Sequence, residues 1–93
     1  MTRSVCLVPA EEEMLEAAEY YESQTRGLGR AFLAEVQRTV DRIVEHPRLG
    51  QLVRRGIRRR LTRRFPFGIL YRVDPEEIVI IAVMHLRRRP GYW

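Results

Sequence analysis

FPFGILYRVDPEEIVIIAVMHL, residues 65–86, decides the fold. Two apolar runs, Phe65 to Val73 and Ile78 to Leu86, flank Asp74-Pro75-Glu76-Glu77. Proline early in a four-residue segment presets the backbone for a tight turn, so the two runs pair as an antiparallel hairpin. The second run contains IVIIAVM, apolar at every position. A strand with no polar face is a central strand covered on both sides, here by helices on one side and by further surface or a partner on the other.

Upstream of this hairpin, Leu52-Val53 and Ile57 to Leu61 are short strand-like runs. Further upstream the period changes from two to between three and four. Leu28, Phe32, Val36, Val40, Ile43 and Val44 form one stripe of a helix that ends at His46, because Pro47 disfavours helical geometry in its predecessor. Before the Gly27 and Gly29 break, Ala10, Met14, Ala17, Ala18 and Tyr21 make a second stripe, with glutamates over the rest of that helix. The first apolar run, Val5 to Val8, reads as a strand entering the core and is stopped by Pro9. The expected architecture is a single α+β domain spanning residues 1–93. An N-terminal strand and a helical hairpin precede a three-stranded antiparallel meander that completes one sheet.

Ninety-three residues suit one core. Cys6 is the only cysteine, so no internal disulfide can form, and the histidines and cysteine lack the paired spacing of a zinc site. No cofactor motif is present. No apolar run approaches the length needed to span a bilayer, and the N-terminus lacks the apolar core of a secretion signal. These features point to a cytoplasmic protein without a membrane partner.

Charge is divided along the chain. Through Glu45 there are nine acidic residues and five arginines; from His46 onward there are three acidic residues and twelve arginines. The net charge of +5 therefore hides an acidic front and a strongly basic back. Every basic residue is arginine, whose planar fork of donors grips phosphate or carboxylate and stacks on rings. Gly56 to Arg64 places Ile57 and Leu61 on one strand face and Arg58 and Arg60 on the other. That alternation predicts a guanidinium ridge able to meet phosphates, with Phe65, Phe67 and Tyr71 nearby for base stacking. The same arginines also suit a solvated edge strand that resists aggregation.

The ending HLRRRPGYW sets His85 beside Arg87, Arg88 and Arg89 and near Tyr92. A histidine there can move a proton while arginine stabilises charge developing on phosphorus. Equally, His85 can serve only to close the sheet end, with Trp93 packing the terminus. His46, at a helix C-terminus, fits a structural role.

The ordered set AAEYYE, GLGRAFLAEVQRTVDRIVEHPRLG, RRRLTRRFPFGILYRVD and IVIIAVMHLRRRPGYW resembles the ParE/RelE superfamily of type II toxins, also called plasmid stabilisation proteins. The resemblance covers nearly the whole chain. It implies a growth-inhibiting toxin and a cognate antitoxin, acidic by charge complementarity, in a hetero-oligomeric complex. RelE-like members cleave messenger RNA on the ribosome without a metal. By resemblance, Arg58 and Arg60 would hold the phosphate with Arg87, while His85 or Tyr92 moves the proton. At the position three before Tyr71, where RelE-like ribonucleases carry a catalytic arginine, this chain has Gly68. That loss favours the ParE-like activity, inhibition of DNA gyrase by binding. The surface expected to meet the target or its phosphates comprises Arg58, Arg60, Arg63, Arg64, Arg72, Arg87, Arg88 and Arg89.

Overall fold

The computed structural model describes residues 2–87. Its elements run β1 (Arg3–Cys6), α1 (Val8–Gln24), α2 (Leu28–Glu45), a 3-10 turn (Pro47–Leu49), β2 (Gln51–Arg54), β3 (Ile57–Leu61), β4 (Phe67–Val73) and β5 (Glu77–His85). The strands form one mixed sheet in the order β1-β5-β4-β3-β2. From β2 to β5 the neighbours are antiparallel, whereas β1 lies parallel to β5 with Arg3 opposite Glu77. The α+β arrangement is the expected one. Its meander has four strands instead of three, because the Leu52-Val53 run pairs with β3 as a strand of its own.

The Val5–Val8 run does not enter the core. β1 stops at Cys6 and Val8 already belongs to α1, since Pro9 fits the first helical turn, where its missing N–H breaks no bond. All four β1 residues are exposed, because this edge strand has a neighbour on one side only.

The helical hairpin turns at Gly27, whose φ of 87° lies in the left-handed region that glycine adopts without penalty. The Glu22 carboxylate accepts the N–H groups of Gly27 and Gly29 at 3.0–3.1 Å, satisfying donors at the start of α2. Those two amides, with a smaller pull from Arg30, hold its carboxyl below the ordinary range. A Cβ at Gly29 would run into the Ala18 carbonyl oxygen, so the helices meet backbone to backbone.

Ala10 and Ala18 of α1, and Phe32, Val36, Val40 and Ile43 of α2, pack on Phe67, Ile69, Tyr71, Ile78, Ile80 and Val83. This is the main core. The β4–β5 register slips between Leu70 and Tyr71, where Ile81 is the extra residue of a bulge. The slip turns Ala82 and Met84 to the opposite sheet face, where they cluster with Leu70, and Ile57 and Ile81 pack against them. Both faces of IVIIAVM are thereby buried, as its composition predicted. Among the described residues no helix is long and apolar enough to cross a membrane.

Candidate functional site

Arg58 and Arg60 of β3 share one face of the sheet. Arg58 stands opposite Tyr71 and Arg60 opposite Ile69, and paired residues share a face, so both lie on the side that carries the helices. Ile57, Arg59 and Leu61 take the other face. The register keeps the alternation expected from the sequence and sets its arginine face on the helix-bearing side. An arginine at the margin of a core can lay its aliphatic stem on apolar neighbours while its head reaches polar groups.

Arg58 does this. Its Nη1 donates to the carbonyls of Gly50 (2.8 Å) and Arg48 (3.1 Å). Beneath it the fully buried Tyr71 hydroxyl donates to the Pro47 carbonyl at 2.6 Å and accepts the Gly50 N–H at 3.1 Å. Burial pushes the Tyr71 phenol up, while the Gly50 amide and the Arg58 and Arg60 charges oppose the rise. A Cβ at Gly50 would land on the Tyr71 hydroxyl, which explains the glycine. Arg58 is therefore largely committed to the connection after α2. Arg60 has its Nη1 enclosed, with no hydrogen-bond partner among the described residues.

On the other face, Arg59 lies across Gly68. A Cβ there would stand 3.0 Å from Arg59 Cδ, and Arg59 Nη2 donates to Gln51 Oε1 at 3.1 Å. Gly68, read in the sequence as a lost arginine position, is thus a slot beneath a neighbouring strand's guanidinium. Arg72 is held by Asp74 through bonds of 2.8 and 3.1 Å, which keep its guanidinium more firmly protonated and the Asp74 carboxyl below its usual range.

Arg63 and Arg64 occupy the β3–β4 loop with exposed side chains, and the Arg64 guanidinium lies 5.1 Å from the Phe65 ring centre. Their backbone N–H groups donate to Glu35 Oε2 at 2.6 and 3.1 Å. Glu35, buried in the middle of α2, also meets Arg38 at 3.3 Å and Arg42 at 3.7 Å. Burial opposes its ionisation, yet the Arg64 and Arg63 amides and the Arg38 guanidinium hold its carboxyl below the ordinary range. These bonds anchor the loop in which Phe65 takes φ 71°, a left-handed conformation costing a non-glycine residue about 1–2 kcal/mol. Contacts from Tyr21 and Phe32 to the Phe65 ring, at centroid distances of 4.8 and 5.3 Å, hold it there. The sequence reading missed Glu35. Its signal was an acid three residues after Phe32 and four before Thr39, inside the apolar stripe.

His85 ends β5 on the helix-bearing face, half-buried, with its ring edge-on to Phe67 at 5.2 Å. Its Nδ1 accepts the Arg87 N–H at 3.1 Å, which leaves Nε2 to carry the ring proton. His85 pairs with Phe67, Arg60 with Ile69 and Arg58 with Tyr71, and the helices pack on Phe67, Ile69 and Tyr71. The core therefore fills the sheet surface between His85 and the two arginines and does not bring them together. The Arg87 side chain is exposed beyond the strand end. Arg88, Arg89, Tyr92 and Trp93 lie outside the described residues. Among those described, no cluster of three or more His, Cys, Asp or Glu is placed to hold a metal ion.

A family model described as the ParE toxin of the type II toxin-antitoxin system, parDE, matches residues 7–90. Among solved structures, a chain described as the chromosomal ParDE TA system from P. aeruginosa is similar, with a TM-score of 0.66. That likeness covers 94% of this chain and 97% of the other at 18% identity, a level at which the fold is what is shared. No curated protein matches the chain.

Proposed function

The chain belongs to the ParE toxin family of type II toxin–antitoxin systems, and from that premise we propose that it arrests growth in the cytoplasm by binding and inhibiting DNA gyrase. The observation that carries the binding reading over a cleaving one is the separation of the candidate groups. A ribonuclease needs its proton-moving group and its phosphate-holding arginines around one reacting phosphate. Here the packed core parts His85 from Arg58 and Arg60, and Arg58 is already occupied by two carbonyls. A toxin that acts by surface recognition needs no such convergence.

A cognate antitoxin is the second partner in this reading. The basic half offers exposed arginines at Arg48, Arg54, Arg55, Arg63 and Arg64, together with exposed Leu49 and Leu52. An acidic segment with apolar anchors, ordering itself on contact, complements that surface and forms a hetero-oligomer. Its affinity falls as salt rises.

The test is a supercoiling assay on relaxed plasmid with purified toxin, run beside a messenger-RNA integrity assay after induction of the toxin alone. Inhibition of supercoiling that is relieved by antitoxin supports the proposal. Unimpaired gyrase turnover at large toxin excess, with transcripts cut, refutes it.

A further inference from the structure

A cleft of about 380 Å³ opens between α1 and the C-terminal half of β5, and among the described residues its walls include Glu13, Glu16, Tyr20, Tyr21, Phe67 and His85 and no arginine. It adjoins an open strand edge. β1 accompanies β5 only as far as Ile80, where the Leu7 N–H donates to the Ile80 carbonyl at 3.0 Å. Beyond Ile80 no described strand pairs with that edge. The Glu13 carboxylate stands in the place of a strand, accepting the Val83 N–H at 3.2 Å. The N–H and C=O of one strand residue point the same way, and residues two apart repeat the direction. The Val83 carbonyl and the His85 amide therefore face outward with the Val83 N–H.

The cleft's charge is opposite to that of the molecule as a whole. α1 carries Glu11, Glu12, Glu13, Glu16, Glu19 and Glu22 and no basic residue, on a protein whose net charge is +5. Its walls are also aromatic. Tyr20, 61% exposed, meets Tyr21 edge-on at 5.5 Å, and Tyr21 lies 6.3 Å from Phe67. Carboxylates beside aromatic faces suit a guanidinium, which bonds the former through its fork and stacks on the latter.

We propose that this cleft binds an arginine side chain presented by an extended segment of a protein partner, with the segment's backbone lying along β5 beyond Ile80. Glu16 supplies the carboxylate and Tyr20 the stacking face. The Val83 carbonyl and His85 amide supply strand-pairing groups, as when a peptide adds to a sheet edge. The site does not depend on the identity of the toxin's target, and its sign is opposite to that of the arginine surface assigned to the antitoxin.

The probe is a short blocked peptide of strand-forming residues with one central arginine, titrated into nitrogen-15-labelled toxin and followed through amide shifts. Saturable shifts at Val83 to His85 and around Glu16 to Tyr21 are expected, weakening with salt. Replacing the arginine by its uncharged isostere citrulline, or making Glu16→Gln, weakens binding about ten-fold or more. Glu16 is exposed on a helix surface, so that variant keeps the spectrum of the folded protein; Tyr20→Ala gives a second, smaller loss. Equal binding of the citrulline peptide, equal binding of a glutamate-centred peptide, shifts mapping elsewhere, or no shifts at millimolar peptide would each overturn the proposal. So would the same shifts appearing with toxin concentration alone, which would give the edge to a second copy of this chain.

Discussion

Replacing Glu35 tests the loop anchor most directly. Glu35→Ala removes the acceptor for the Arg63 and Arg64 amides and strips two guanidinium groups of their partner. A hydrogen bond to a charged group is worth about 1.5–3 kcal/mol, and breaking a buried ion pair costs roughly 3–5 kcal/mol. Arg38 is half-exposed, so its share is small. The expected loss is about 3–5 kcal/mol, a large part of the roughly 5–15 kcal/mol available to a small domain.

Glu35→Gln keeps one acceptor oxygen but loses the charge and turns the other oxygen into an NH2 donor, and it reads out the pH dependence. Because the folded carboxyl is held below its ordinary value, its stabilisation is complete above the unfolded carboxylate range, near pH 4.3, and disappears as pH falls through the folded value. Urea unfolding at a series of pH values should therefore show the native protein well above the glutamine variant at neutral pH, with the gap closing on acidification below about pH 4. A cost under about 1 kcal/mol for Glu35→Ala, or a gap that ignores pH, would refute the assignment of Glu35 as the loop's anchor.

Two glycines make a contrasting pair. Gly29→Ala drives a methyl into the Ala18 backbone carbonyl and should cost about 2–3 kcal/mol, whereas Gly68→Ala meets only the flexible Arg59 stem and should cost under about 1 kcal/mol; thermal melts distinguish them. Tyr71→Phe leaves the Gly50 N–H and the Pro47 carbonyl without their partner and should cost about 1–3 kcal/mol by urea unfolding. His85→Ala should leave growth arrest intact at equal expression. A nontoxic, folded His85→Ala protein would favour the ribonuclease reading over gyrase binding.

The hairpin of β4 and β5 was legible because Asp74-Pro75 punctuates it and because a strand apolar at every position has one natural place in a sheet. Helix α2 was legible from the spacing of Phe32, Val36, Val40 and Ile43, and α1 from that of Ala10, Met14, Ala17, Ala18 and Tyr21. The face of β3 was not, because the sheet is apolar on both sides. Ile57 and Leu61 could turn toward the helices or toward Leu70 and Met84, and the cross-strand partners Tyr71 and Ile69 settled the matter. Glu35 escaped because nothing in the local sequence says that two loop amides, nearly thirty residues downstream, will arrive to bond it.

The pairing of β1 with β5 joins the first described strand to the last. Arg3 and Glu77 stand side by side, and everything between them must be synthesised before they can meet. Contacts so distant along a chain form late, since loop closure precedes any gain from them. While β5 is still inside the ribosome, the strand at the amino end has no neighbour and the sheet stops at β4. A nascent chain of this protein therefore cannot assemble the complete sheet until β5 has left the ribosome, long after β1.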